Sequence, residues 1–159
     1  MELNPSIKQA LIGIDFVRRY EALSEEYNED RIPENKRLDI IDGELIMDII
    51  SSLGYQPSFS AREKFFKIKK EKIQEYSFGF HIAMSYGMVE LVWVVEQSET
   101  VLLGSPWSIY SRLLINPDYR IKMPVCGDYD ELEDILTKAF RMYEDFKRTF
   151  IEISSKNKS

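Results

Sequence analysis

The sequence predicts an α+β domain: an antiparallel sheet of four to five strands, two N-terminal helices, a short helix after the sheet hairpins and a long C-terminal helix. Three observations predict it. Residues 76–96 alternate apolar and polar side chains with a period of two on either side of Tyr86-Gly87. Residues 132–150 repeat apolar side chains at helical spacing. The 159 residues are 44% hydrophobic and 13% aromatic, enough for one core without metal or disulfide staples.

The elements follow in order. Asn4-Pro5 is a cap-and-proline helix start, and Ile7, Leu11, Ile14 and Val17 carry one helix to about Leu23 or a turn beyond. RIPENKR, residues 31–37, is a polar break. A second helix takes in Glu44 to Leu53, with Asp42 near its start and Gly54 placed to stop it. Gln56-Pro57-Ser58 is a turn. KFFKIKK, residues 64–70, reads as an edge strand whose lysines discourage unwanted pairing.

Residues 76–86 form the next strand. With Tyr86-Gly87 as a two-residue loop, Ser85 faces Met88, and Met84/Val89, Ile82/Leu91, Phe80/Trp93 and Phe78/Val95 pair on one face. A slip of one residue would bring Glu90 and Glu96 onto that face, so the pattern selects the register. Thr100–Leu103 returns as a strand, and Ser105-Pro106 opens a short helix from Trp107 to about Leu114. Residues 119–123 extend the sheet with a short strand. Asp128 with Glu131, or Asp130 with Glu133, starts the last helix with a capping arrangement. Leu132, Leu136, Ala139, Tyr143, Phe146 and Phe150 are its apolar stripe. Residues 1–153 make one domain, and 154–159 a frayed polar tail.

Charge and motifs narrow the function. The net charge of −6 argues against nucleic acid as a partner and suits a basic protein surface. The longest strongly apolar run, LVWVV at 91–95, is far short of a membrane span, and the start lacks a signal-peptide pattern. Cys126 is the only cysteine, so no internal disulfide forms; a cytoplasmic location fits both features. No phosphate-binding loop, dinucleotide fingerprint, HExxH or GxSxG is present, and no cofactor or metal is expected.

His81, the only histidine, falls on the face opposite the aromatic stripe with Glu90 diagonal to it. A carboxylate-supported imidazole there would serve as a general base or ligand site, beside the simpler reading of an ordinary strand histidine. Cys126 lies before the last helix, where neighbouring carboxylates favour a neutral thiol. Two acidic clusters stand out: Glu21, Glu25, Glu26, Glu29 and Asp30, and then Asp128, Asp130 and Glu131. Glu21, Glu25 and Glu29 would repel along one helix face and crowd its anion-unfavourable end, which motivates a partner-binding role. The basic stretch 61–73 is explained by the edge strand.

The GSPWSIYSRLL step (104–114) and the GDYDELEDILTKAF helix start (127–140), in a small acidic α+β chain, resemble the immunity proteins of bacterial toxin–immunity systems, including the contact-dependent inhibition kind. The resemblance implies a noncatalytic cytoplasmic inhibitor that neutralises one cognate toxin or nuclease domain. The alternative is a small-molecule-binding protein or small enzyme working around His81 and Glu90. A homo-oligomeric accessory subunit is the third reading.

Overall fold

A computed structural model describes residues 2–39 and 41–157. The helices are α1 (Pro5–Gly13), α2 (Phe16–Glu26), α3 (Gly43–Ser52), α4 (Trp107–Leu114) and α5 (Tyr129–Asn157). The strands are β1 (Pro57–Ser60), β2 (Phe65–Ile68), β3 (Glu71–Ile73), β4 (Tyr76–Ser85), β5 (Met88–Gln97) and β6 (Thr100–Leu103). The sheet is antiparallel throughout, in the order β1-β2-β4-β5-β6, with β3 also on β4.

The β4–β5 hairpin has the register selected by the alternation, Ser85 opposite Met88 and Phe80 opposite Trp93. Both turn residues have positive φ, Tyr86 at 52° and Gly87 at 78°, the combination that matches strand twist in a two-residue loop. A side chain at Gly87 would also meet the Cys126 carbonyl at 2.7 Å. On the inner face, Phe78, Phe80, Trp93 and Val95 are wholly buried under α5, α4 and α2. Phe16 and Tyr20 of α2 stand edge-on to Trp107, and Trp93 stacks on Phe146 of α5.

Trp93 lies where β5, paired with β4 on one side, has no strand neighbour on the other, between its pairing with β6 and its bridge from Val92 to Pro106. The Tyr110 hydroxyl fills the gap: it accepts from the Trp93 N–H at 3.2 Å and donates to the Trp93 carbonyl at 3.3 Å. Both backbone groups are thereby satisfied in the core.

Caps agree with the sequence at three of the four starts it marks. Asn4 accepts from the Ser6 and Ile7 amides, and Asp42 from those of Glu44 and Leu45. Asp128 accepts from the Glu131 amide while the Glu131 carboxylate reaches back to the Gly127 amide. At α4 the expectation needs correction: Pro106 itself is the cap residue and no side chain caps the helix.

Four further expectations are corrected. The first helix is two helices, broken at Asp15 (φ 58°). The bend lets Ile7 and Leu11 be buried from α1, next to α5, while Phe16 turns to Trp93 and Trp107. Residues 57–58 begin β1 rather than a turn, which moves the 64–70 segment from the edge to the sheet interior. β2 and β3 follow one another along the same side of β4 across a bulge: Lys67 faces His81 and Glu71 faces Phe78, so the three residues 68–70 stand against the two residues 79–80. Residues 119–123 form no strand; only Val125 bridges, to Met88. The end of the chain is helical through Asn157, whose amide donates to the Ser6 hydroxyl, with Ser154 buried; residues 158–159 of the expected tail lie outside the described residues. Among the described residues, no helix is long and apolar enough to cross a membrane.

Candidate partner-binding surface

The acidic clusters named from sequence are largely tied down within the fold. Glu21 accepts a hydrogen bond from the Tyr119 hydroxyl. Glu26 pairs with Lys138 of α5 at 2.5 Å, Glu29 with Lys122 at 2.7 Å, and Glu131 with Arg31 at 2.7 Å. The lysines beside Glu29 and beside Asp134 hold those carboxyls below the usual carboxylate range. The predicted repulsive ladder is therefore not formed: α2 ends at Glu26, and Glu29 sits in a separate turn facing Lys122. Glu25, Asp30 and Asp130 keep no side-chain partner among the described residues.

The proposed His81–Glu90 pair is not brought together. His81 faces Lys67 on one side and Val92 on the other, while Glu90 lies opposite Ala83. The imidazole stacks on Phe65 at 4.2 Å and 13°. Burial, then Lys67, lowers its pKa from the ordinary histidine value. No hydrogen bond joins it to Glu90 among the described residues. Glu90 instead lines a cavity of about 350 Å³ with Arg112, Arg120 and Lys122. Cys126 is fully buried; its thiol donates to the Gly87 carbonyl, and burial with the nearby Glu131 pushes its pKa up to about 12. It is a packed, protonated thiol.

The best-formed concavity lies elsewhere. Between the N-terminal half of α3 and the β1–β2 hairpin is an open groove of about 1030 Å³, floored by Met47, Phe66 and Met84 and flanked by Ile41 and Phe59. Phe59 is 47% exposed and Ile41 38%. Two large apolar side chains this exposed, both lining one groove, form a patch rather than scattered surface residues.

The rims of the groove carry opposite charge. Asp42 and Glu44 line it on the α3 side, and Asp48 follows one helical turn later. The Asp42 amide donates to the Tyr129 hydroxyl at 2.7 Å, which brings Asp128 and Asp130, the second predicted cluster, beside the same rim. Opposite stands Lys64, in the β1–β2 turn with Arg62. Glu44, Asp48, Arg62 and Lys64 have no ion-pair partner among the described residues.

Sequence reasoning named Asp128 and Asp130, which lie near this rim, but not Ile41, Phe59 or Met84. Phe59 had a readable signal, since it alternates with Ser58 and Ser60 after Pro57. The exposure of the other two depends on where α3 ends against the sheet, which no local pattern records. Comparison of the chain with known protein families, curated proteins and solved structures finds no match.

Proposed function

We propose that the chain is a noncatalytic, protein-binding inhibitor of the bacterial immunity type, acting in the cytoplasm on a cognate toxin or nuclease domain with a basic surface. The observation that carries this reading is the groove: an exposed apolar patch of Ile41 and Phe59 beside Asp42, Glu44 and, one turn on, Asp48. Apolar anchors supply the affinity of such an interface, and unpaired carboxylates at its rim speed the approach of a cationic partner. The flexible methionines on the floor adapt to an inserted side chain. The resemblance of residues 104–114 and 127–140 to immunity proteins points the same way.

The test is affinity purification from the native host at low and high salt, with the wild-type chain and with Ile41→Glu/Phe59→Glu. The wild type is expected to retain a basic domain in stoichiometric amount, to lose it with rising salt, and to inhibit that domain's own activity at one-to-one ratio. The double variant should retain at least tenfold less. Equal capture and inhibition by the variant would overturn the groove as the site; a captured domain left fully active by the wild type would overturn inhibition.

A further inference from the structure

We propose that in the absence of a partner the groove is occupied by a second copy of the same chain, in a two-fold symmetric dimer. The argument rests on how the patch is laid out and needs no assumption about the partner. In a two-fold interface the same patch meets itself, and with the axis running along the groove each rim faces the opposite rim of the other copy. A uniformly acidic patch would repel itself. This one has an apolar centre, carboxylates along one rim and cations along the other, so the two-fold operation sets unlike charges together.

The residues are those already described. Glu44 and, one turn on, Asp48 stand on α3 on one side, Lys64 with Arg62 in the β1–β2 turn on the other, with Ile41 and Phe59 exposed at the groove. In the dimer the hairpin of each copy lies over α3 of the other, Lys64 toward Glu44, and Phe59 is withdrawn from water. The wider charge distribution agrees. Residues 61–73 hold six basic and two acidic side chains, four net positive; with −6 overall, the rest of the chain carries ten net negative. The basic hairpin thus has an acidic counterpart of its own sequence. The patch is small, so the dimer should be weak, with a Kd on the order of 10–100 µM, and a cognate domain that enters the groove displaces it.

Sedimentation of the purified chain tests this without any partner. The mass of the wild type should rise from 18.7 kDa toward twice that value with concentration, and fall back when salt is raised. Arg62→Glu/Lys64→Glu alone and Glu44→Lys/Asp48→Lys alone should each stay single, because like charges then meet in both halves of the interface. Their equimolar mixture should dimerise again, because both halves become complementary. Phe59→Glu, at a 47% exposed position lining the groove, should also stay single, and serves if either double variant fails to fold by circular dichroism. A wild type that remains at 18.7 kDa, variants that associate like the wild type, or a folded mixture that does not regain the dimer would overturn the proposal.

Discussion

Under the β4–β5 hairpin, Phe80, Trp93, Trp107 and Tyr143 form a continuous aromatic cluster with almost no exposure, while Phe59 and Ile41 stand part-way into solvent at the groove. Both regions are built from large apolar side chains beside the same sheet. What differs is the helix above. α5 has 29 residues, about 43 Å at 1.5 Å per residue, and its apolar stripe runs across the inner face from Leu132 to Phe150. α3 has 10 residues, about 15 Å, and its buried side is only Ile46 and Ile50. The groove is where the helical layer runs out. Apolar area that the fold closes over contributes to stability; apolar area that it leaves open is available to a second surface.

The largest test of that contrast is a matched pair of truncations. Trp93→Ala should cost about 3–5 kcal/mol, the range for removing a wholly buried aromatic residue without collapse of the site. Tyr110 would also lose packing from the side chain beside it. Phe59→Ala, whose ring touches Phe66 at 4.8 Å but is nearly half exposed, should cost about 1 kcal/mol or less. Urea denaturation of both measures the difference. Similar losses would mean that the groove is part of the core.

The charged residues sharpen the same comparison. Lys147 is 4% exposed, with its ammonium 2.6 Å from Glu71 and 2.8 Å from Glu144 and above the Tyr143 ring at 4.3 Å. Tyr55 donates to Glu144 and completes the cluster. In the closed region a charge is kept only with partners, whereas Glu44, Asp48 and Lys64 at the groove remain hydrated and unpaired. Lys147→Met should cost about 2–3 kcal/mol, below the roughly 3–5 kcal/mol of a fully buried pair because both carboxylates are partly exposed. Adding Glu71→Gln should recover a good part of that loss. If the two substitutions simply add in urea denaturation, Glu71 and Lys147 do not act as a pair.

The closed region was largely legible in the sequence and the open one was not. The β4–β5 register was readable because a slip would break four apolar pairs and bring Glu90 and Glu96 onto the inner face, a penalty written in the alternation itself. The caps at Asn4, Asp42 and Asp128 were readable because they act within four residues. The break at Asp15 was hidden because the apolar spacing runs on through Ile14 and Val17, and only the separate partners of α1 and α2 require it. Long-range pairing also decided the acidic clusters: nothing near Glu29 or Glu26 announces Lys122 or Lys138. The groove depends on helix length, hairpin position and the Asp42–Tyr129 contact together, all of them properties of the assembled fold.

The outer face of the sheet offers the smallest effect and decides the remaining reading of His81. Its imidazole is half-buried against Phe65, faces Lys67, and feels Lys70 as well as the opposing carboxylates of Glu63 and Glu96. Burial is the largest influence, followed by Lys67, and the net result is a lowered pKa. The sign of the linkage follows. Above about 6.5, the unfolded value, neither state is protonated and His81 has no effect on stability. As the pH falls below it, the unfolded chain takes up the proton first, so stability is lost, and the loss levels off below the folded pKa. His81→Phe keeps a ring against Phe65 and removes the proton site. Subtracting its stability from that of the wild type between about pH 8 and pH 5 should give a difference that is flat at the upper end and falls toward the lower. A difference that rises as the pH falls would place a carboxylate on the imidazole in solution and return His81 and Glu90 to consideration as an acid–base pair. The expected slope leaves His81 as a neutral strand residue on a face that takes no part in the groove.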